Sequence, residues 1–215
     1  MDTSAPLPAG FPRALFLFSL IYGGMVVLGG VLGSKQLALG PLAVEAGIFP
    51  FLTVISISSG VAELYGKPMA DRLVRIGFLP LILAICLTFL VLELPTDPGM
   101  YEPAKAAFPI VLGQSWRMMI AGIIAYGISA TLNVWIFSRL RAATGRGASL
   151  RGFIAAALSQ VIDTLLFISI SFIGVRPILN LMIGQMLAKV TLSAVLVPLI
   201  IALVVRIGRR LDAQT

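Results

Sequence analysis

The sequence predicts an all-α integral membrane protein, a single membrane domain (residues 1–215) whose six transmembrane helices leave both termini in the cytoplasm. Of the 215 residues, 59% are hydrophobic and only 12% are charged, whereas charged residues make up about 25% of a typical soluble domain. Six long stretches contain almost no charge, and a bilayer is crossed by a helix of about 17 to 25 apolar residues. We therefore expect helices at about 14–34, 46–65, 76–93, 117–138, 152–174 and 178–205.

The first predicted helix follows Arg13 and superficially resembles a secretory signal peptide. Its apolar run continues to residue 34, which is too long for the hydrophobic region of a signal peptide. It also ends in Gly-Ser-Lys, without a small-residue cleavage site. We interpret this segment as a transmembrane helix.

The second predicted helix is the least regular of the six. Pro50, the hydroxyl cluster at 56–59 and Gly60 interrupt it, and interrupted helices commonly mark binding sites in transporters. Glu63 follows at the cytoplasmic end, either as a site residue or as a charge that reaches the interface. We expect residues 63–75 to be a short connection to the third helix.

Residues 93–117 are the one long connection that we expect. This segment contains four prolines and three acidic residues, a composition that indicates an external loop. Its apolar part, 106–113, is too short to span the membrane and is expected to lie at the interface. Helices four, five and six then follow with short connections.

The distribution of basic residues predicts the orientation. Eleven of the sixteen Lys and Arg residues fall at one end of the predicted bundle and four at the other, and Lys189 lies inside the membrane. Because cytoplasmic loops carry the excess of Lys and Arg, the richer end is assigned to the cytoplasm. The eleven are Arg13, Lys67, Arg72, Arg75, Arg139, Arg141, Arg146, Arg151, Arg206, Arg209 and Arg210, and the four are Lys35, Lys105, Arg117 and Arg176.

Composition excludes several classes of function. The chain has no histidine, which removes His-ligated metal sites and Ser-His or Cys-His nucleophiles. The single cysteine, Cys86, lies in an apolar stretch and forms no metal or redox motif. The net charge of +7 is explained by topology rather than by nucleic-acid binding, which would need denser charge with interleaved aromatic residues. We expect no cofactor, no metal and no nucleic-acid partner.

Two ionisable residues lie at mid-membrane depth. Asp163 is eleven residues from Gly174, and Lys189 is twelve residues from Pro177. At 1.5 Å per residue both lie about 16 to 18 Å below the same surface, so they can form an ion pair. Charges at that depth cost about 2.5 to 3.5 kcal/mol and are usually functional or tightly paired. The pair is therefore either a strut between helices five and six or part of a binding site.

The polar neighbours of these two residues favour a binding site. Ser159, Gln160 and Thr164 share a helix face with Asp163, and Gln185 and Ser193 share one with Lys189. In addition, residues 125–137 are similar to residues 155–167 at an offset of thirty. The common pattern, S-x3-[ND]-x3-F, aligns Ser129 with Ser159, Asn133 with Asp163, and Phe137 with Phe167.

The sequence resembles a known transporter family in the order and spacing of several segments. The segments are SKQLALGPLAVEAGIFPFLTVISISSGVAELYGKPMADRLVRIGF, RMMIAGIIAYGISATLNVWIFSRLR, ASLRGFIAAALSQVIDTLLFISISFIG and AKVTLSAVLVPLI. They resemble the queuosine precursor transporter family, also called the vitamin uptake transporter family, over about residues 33–205. The sequence departs from the family pattern in two places: Ser59 stands where the family usually has an Asp, and Ala130 and Asn133 stand where it usually has Gln-x2-Asp in the fourth helix.

The resemblance implies a multi-pass protein of the cell inner membrane that imports queuosine precursors, the 7-deazaguanine bases, for tRNA modification salvage. A carboxylate can accept both the ring N–H and the amine of a guanine-like base, while Lys, Asn or Gln donates to its carbonyl. An aromatic side chain can stack on the ring. The substrate-binding residues that we expect are Glu63, Tyr126, Asn133, Ser159, Gln160, Asp163, Phe167 and Lys189, with Phe51 and Phe137 as further stacking candidates.

Two alternative functions stay open. Because the chain has no G-x4-GK-[ST] loop, it is either a secondary or facilitated transporter, or a substrate-binding membrane subunit of an ATP-driven vitamin uptake system. An intramembrane enzyme is the weakest alternative, since one mid-membrane Asp provides no aspartyl dyad. The expected partners are a small-molecule substrate and the lipid bilayer, and a second copy of the chain is kept as a candidate for a homodimer.

Overall fold

A computed structural model of the protein describes residues 12–39, 42–113, 116–144, 147–174 and 178–213. The described residues form eight helices and one antiparallel hairpin. In chain order the elements are α1 (Arg13–Leu32), β1 (Gln36–Leu39), β2 (Leu42–Glu45), α2 (Ile48–Tyr65), α3 (Lys67–Ile76), α4 (Phe78–Glu93), α5 (Glu102–Leu112), α6 (Trp116–Thr144), α7 (Ala148–Phe172) and α8 (Leu179–Asp212).

Six segments of the described chain are long and apolar enough to cross a membrane. They are α1, α2, the continuous pair α3 and α4, most of α6, α7, and α8. The predicted fold class, an all-α membrane protein with six transmembrane helices, is therefore confirmed. The hairpin adds only four residues per strand.

Several element bounds differ from those expected. Residues 67–76, expected to lie in a connection, form α3, because Ala70, Leu73 and Val74 make one buried face on a short amphipathic helix. Helices α6 and α8 continue past the predicted ends at 138 and 205 to Thr144 and Asp212. Charged residues end the apolar stretch that crosses lipid, but they do not end a helix. Arg146 and Arg176, which entered the charge count, lie outside the described residues.

Contacts at one end of the bundle bring together the segments that carry most of the basic residues. The carboxylate of Asp212 accepts a hydrogen bond from the Ala14 backbone N–H at 3.2 Å and another from the Tyr65 hydroxyl at 2.5 Å. Glu63 accepts a hydrogen bond from Arg151 at 2.8 Å. We call this the basic end. The opposite end, which holds the β-hairpin, α5 and the start of α8, is called the hairpin end.

Helix α2 lies at the centre of the bundle and α4 at its edge. Most of α2 is buried, whereas α4 has no buried residue. Gly60 lets α2 approach α8, since a Cβ at this position would overlap Val204, and Gly152 does the same between α7 and α8, where a Cβ would overlap Ile201. Close van der Waals packing at small residues is one of the forces that drive helix association in lipid. It holds α2, α7 and α8 together around the polar residues described next.

Candidate functional site

A cavity of about 250 Å³ occupies the half of the bundle nearer the hairpin end. Its walls come from α1, α2, α4 and α6, the hairpin and α5 border it on one side, and Asp163 of α7 and Lys189 of α8 line it at mid-bundle depth. Small-molecule sites in proteins usually occupy about 300 to 1,000 Å³. This cavity is therefore suited to a small ligand of one or two rings.

The predicted ion pair lies in this cavity. Lys189 Nζ is 3.1 Å from Asp163 Oδ2, and the Ser129 hydroxyl donates a hydrogen bond to Asp163 Oδ1 at 3.1 Å. Asp163 and Lys189 are 8% and 6% exposed. The predicted pairing is confirmed. It joins α6, α7 and α8, and it presents a carboxylate beside an ammonium group at the cavity surface.

Aromatic side chains form part of the cavity wall. Tyr126 and Phe167, both predicted site residues, line it together with Phe51. The rings of Phe51 and Tyr126 meet edge to face, with centroids 6.5 Å apart, and Phe78 packs on Tyr126 at 5.0 Å. The Tyr126 hydroxyl is 2.7 Å from that of Tyr22, so the orientation of the Tyr126 ring is fixed from α1.

Four of the eight predicted site residues lie outside the cavity lining: Glu63, which is described below, and Asn133, Ser159 and Gln160. Asn133 donates to the Ile55 carbonyl at 3.2 Å and to the Ser59 hydroxyl at 3.0 Å. Ser159 donates to the carbonyl of Ala156 at 3.0 Å, within its own helix. Gln160 is 1% exposed, and neither its amide oxygen nor its amide nitrogen has a partner among the described residues. These side chains occupy the polar interior between the cavity and the basic end.

Residues that align in the two copies of the internal repeat have different contacts in the structure. Ser129 of the first copy donates to Asp163 of the second, whereas Asn133, which aligns with Asp163, is held by α2. Phe137, which aligns with Phe167, packs under the Arg151 guanidinium, 5.0 Å from the ring centroid, and is not part of the cavity.

Glu63 forms ion pairs that hold three helices together at the basic end. Its carboxylate lies 2.8 Å from Arg151 and 3.7 Å from Arg141. The Arg151 side chain is only 6% exposed, so removing Glu63 would leave a buried charge at a cost of about 3–5 kcal/mol. Glu63 does not line the cavity, and its contacts indicate that it locks α2 to α6 and α7.

Sequence reasoning missed Glu45 as a site residue. Glu45 ends β2, lines the cavity, and accepts a hydrogen bond from Gln185 Nε2 at 3.4 Å. The signal was present in the sequence, since Glu45 is an acid that interrupts an apolar run immediately before Gly47 and α2. An acid flanking a transmembrane stretch is usually a loop charge, so its position in the sequence does not by itself indicate a binding role.

The side chains that face the cavity can bind a planar polar molecule by hydrogen bonding and stacking. A carboxylate, an ammonium group and aromatic rings face one cavity, and together they can accept two hydrogen bonds, donate to a carbonyl, and stack. Within the described ranges, no cluster of three or more His, Cys, Asp or Glu residues could hold a metal ion.

Comparison with known proteins relates this chain to membrane transporters. A family model described as "Putative vitamin uptake transporter" matches residues 45–203. A curated protein of Bacillus subtilis (strain 168), "Probable queuosine precursor transporter", is 27% identical over 170 residues, which cover 76% of this chain and 73% of that protein. No solved structure matches the chain.

Proposed function

The chain belongs to the vitamin uptake transporter family, and from this premise we propose that it imports queuosine precursors, the 7-deazaguanine bases, across the cell inner membrane for tRNA modification salvage. It is a multi-pass membrane transporter and not an enzyme. The name of the Bacillus subtilis relative supports the substrate class. The observation that carries the proposal is the Asp163–Lys189 pair at the surface of an aromatic-lined cavity.

The hydrogen-bonding groups of the pair complement one edge of a guanine-like base. That edge presents a ring N–H and an exocyclic amine, both donors, next to a carbonyl oxygen, which is an acceptor. A carboxylate accepts the two donors in bidentate fashion, and an ammonium beside it donates to the carbonyl. Asp163 and Lys189, 3.1 Å apart, offer these groups side by side. Ser129 holds the Asp163 carboxylate in place from α6.

The rest of the cavity suits the flat ring of the base. Phe51, Tyr126 and Phe167 provide aromatic surface near the pair, and a heteroaromatic ring stacks on such surface or meets it edge to face. Because the lining of the cavity is mostly apolar, the hydrogen bonds to Asp163 and Lys189 are stronger there than they would be in bulk water.

The closed basic end supports a transport cycle in which the site opens to one side at a time. The contacts of Asn133 with α2 lie between the Asp163–Lys189 pair and the basic end, and the Glu63–Arg151 ion pair is part of the basic end itself. Import requires that these contacts separate after the base has bound, while the cavity closes at the hairpin end. Gln160 and Asn133 then line the path to the cytoplasm, which accounts for their buried polar groups that lack partners here.

The orientation in this proposal has the basic end and both termini in the cytoplasm. We expect a membrane-impermeant thiol reagent, added to intact cells, to label Thr96→Cys and not Gly147→Cys. Both positions are exposed, and Gly147 has no neighbouring atom that a Cβ would meet. Both variants are made in a Cys86→Ser background, which removes the single native cysteine. Labelling of Gly147→Cys but not of Thr96→Cys would reverse the assignment.

Uptake by the purified protein in proteoliposomes tests the function directly. We expect a labelled 7-deazaguanine base to enter vesicles that contain this chain alone and to be displaced by excess unlabelled base. Uptake without any ATP-hydrolysing partner also separates a self-sufficient transporter from a subunit of an ATP-driven system. No uptake by well-folded protein, with uptake restored by an ATPase module, would favour the subunit.

A further inference from the structure

A layer of polar side chains crosses the bundle one helical turn from the Asp163–Lys189 pair, toward the basic end. The hydrogen bond from Ser129 to Asp163 fixes the register of the antiparallel helices α6 and α7. One turn from this bond, Asn133 of α6 lies at the depth of Gln160 of α7. We call this the polar layer, and it consists of Ser58, Ser59, Asn133, Ser159, Gln160 and Ser193, each at most 1% exposed.

Most hydrogen-bond donors of the polar layer are already used. Three serine hydroxyls donate to backbone carbonyls of their own helices, namely Ser58 to Ile55, Ser159 to Ala156 and Ser193 to Lys189, at 2.7 to 3.0 Å. The amide nitrogen of Asn133 donates to the Ile55 carbonyl and to the hydroxyl oxygens of Ser58 and Ser59. A hydroxyl that donates in this way still has lone pairs to accept with. The layer is therefore richer in acceptors than in donors.

Three buried oxygen atoms in and beside the polar layer have no hydrogen-bond partner in the part of the chain that the structure describes. They are Asn133 Oδ1, Gln160 Oε1 and Thr164 Oγ1. Thr164 is fully buried and lies one turn from Gln160 on the same face of α7. The amide nitrogen of Gln160 is also unpaired there, so the amides of Gln160 and Asn133 lie at one depth without bonding each other. Because unpaired buried acceptors are costly, these oxygens indicate a ligand that binds to oxygen.

A small monovalent cation suits these oxygens. Hard cations bind amide, hydroxyl and carbonyl oxygens, and transporters use such groups near mid-membrane depth to hold sodium. A divalent ion would call for carboxylate ligands, whereas all three unpaired oxygens belong to neutral side chains. The carboxylate of Asp163, next to Thr164 in the chain, offsets part of the charge of a cation. The polar layer is buried and does not line the cavity, so it suits an ion rather than a bicyclic base.

We infer that Asn133, Gln160 and Thr164 bind a sodium ion that is imported together with the base. The inference rests on the proposed function, and the ion is cargo rather than a resident cofactor. A cation one turn from Asp163 stabilises the ionised carboxylate when the base draws it away from Lys189, so sodium and base bind cooperatively. By linkage, each raises the affinity for the other by the same factor. Because the polar layer lies on the path proposed for the base, an inward sodium gradient drives import.

Thermal unfolding of the purified protein in sodium chloride, potassium chloride or choline chloride tests the site without any base. At equal ionic strength, we expect a melting temperature that rises with sodium concentration and saturates, with no such rise in the other two salts. The Thr164→Val variant replaces the hydroxyl by a methyl group and should need at least about tenfold more sodium for the same rise. The Ser171→Ala variant is the matched control, since it removes another buried, unpaired hydroxyl of α7 outside the polar layer and the cavity. It should respond to sodium as the wild type does.

Calorimetric titration with a 7-deazaguanine base tests the coupling between ion and base. The wild type should bind the base at least about tenfold more tightly in sodium chloride than in choline chloride, a factor within the usual range of coupling between two sites. In Thr164→Val most of this difference should disappear. Ser171→Ala should retain it.

The outcomes separate this inference from the proposed function. A rise in melting temperature that potassium or choline matches would show that the polar layer does not select sodium, and it would overturn the inference. Equal base affinities in sodium and choline would do the same while leaving the transporter assignment intact. Both measurements use the wild type, so they decide the matter even if Thr164→Val does not fold. If sodium stabilises the wild type but no base binds, the sodium site stands and the proposed substrate class is wrong.

Discussion

Uptake of a 7-deazaguanine base should fall at least about 100-fold when Asp163 is replaced by Asn. The substitution preserves the shape of the side chain but removes its charge, and the new amide nitrogen faces the donors of the base instead of accepting from them. One charge-assisted hydrogen bond, worth about 1.5 to 3 kcal/mol, is lost, and the unpaired donor of the base costs about 1 to 3 kcal/mol more. The second bond, to the remaining amide oxygen, also loses its charge assistance. Since every 1.4 kcal/mol is about a tenfold change, a 100-fold loss is the lower bound.

Initial uptake rates in proteoliposomes measure this effect, with protein content matched between variants. The Asp71→Asn variant is the matched control, because it makes the same chemical change in an acid of α3 that pairs with Lys67 and does not line the cavity. We expect it to transport at the wild-type rate. Wild-type transport by Asp163→Asn would remove Asp163 from the site and leave its partner without a binding role.

The double variant Asp163→Asn with Lys189→Met should remain as inactive as Asp163→Asn alone. If the pair were only a strut between α7 and α8, either single change would leave an uncompensated buried charge at a cost of about 3–5 kcal/mol, and the double change would restore stability and uptake together. Because both groups border the cavity, water can solvate the remaining partner. We therefore expect each single variant to be tolerated structurally.

Thermal unfolding and uptake, measured on the wild type, both single variants and the double variant, distinguish a structural strut from a binding role of the pair. We expect small stability differences between the wild type, the two single variants and the double variant, together with uptake that is lost wherever Asp163 is absent. Recovery of uptake in the double variant would establish the pair as a strut. Recognition of the substrate would then have to come from other polar groups, such as Asn133 or Gln160.

The transmembrane helices and the central ion pair could be predicted from the sequence because both follow from the physics of the bilayer. Uncharged stretches of sufficient length identify the spans. Counting from Gly174 and Pro177 gives Asp163 and Lys189 the same depth, and the structure joins them at 3.1 Å. Finding the spans and counting residues from the connection between helices five and six both work without knowing which other helices are neighbours.

The positions of the remaining site residues depend on which helices pack side by side, and span lengths and residue patterns in a single sequence do not reveal that. Asn133 aligns with Asp163 in the internal repeat, yet it faces the hydroxyl cluster of α2 because α6 and α7 have different neighbours. Glu63 and Arg151 are 88 residues apart, and their pairing needs the contact between α2 and α7. In the sequence, Glu45 lies at the border of an apolar stretch. It reaches the cavity because the hairpin packs on α8.

Thermal unfolding of the purified wild-type protein with matched ligands shows whether the cavity recognises the hydrogen-bonding edge of a guanine-like base. A ligand at about 100 times its dissociation constant stabilises its target by about 2.7 kcal/mol. We expect a clear rise in melting temperature with 7-aminomethyl-7-deazaguanine and none with the analogue whose six-membered ring has the adenine pattern of donors and acceptors. The rise should disappear in Asp163→Asn. Equal stabilisation by both ligands, or an undiminished rise in Asp163→Asn, would show that the Asp163 carboxylate does not recognise the base.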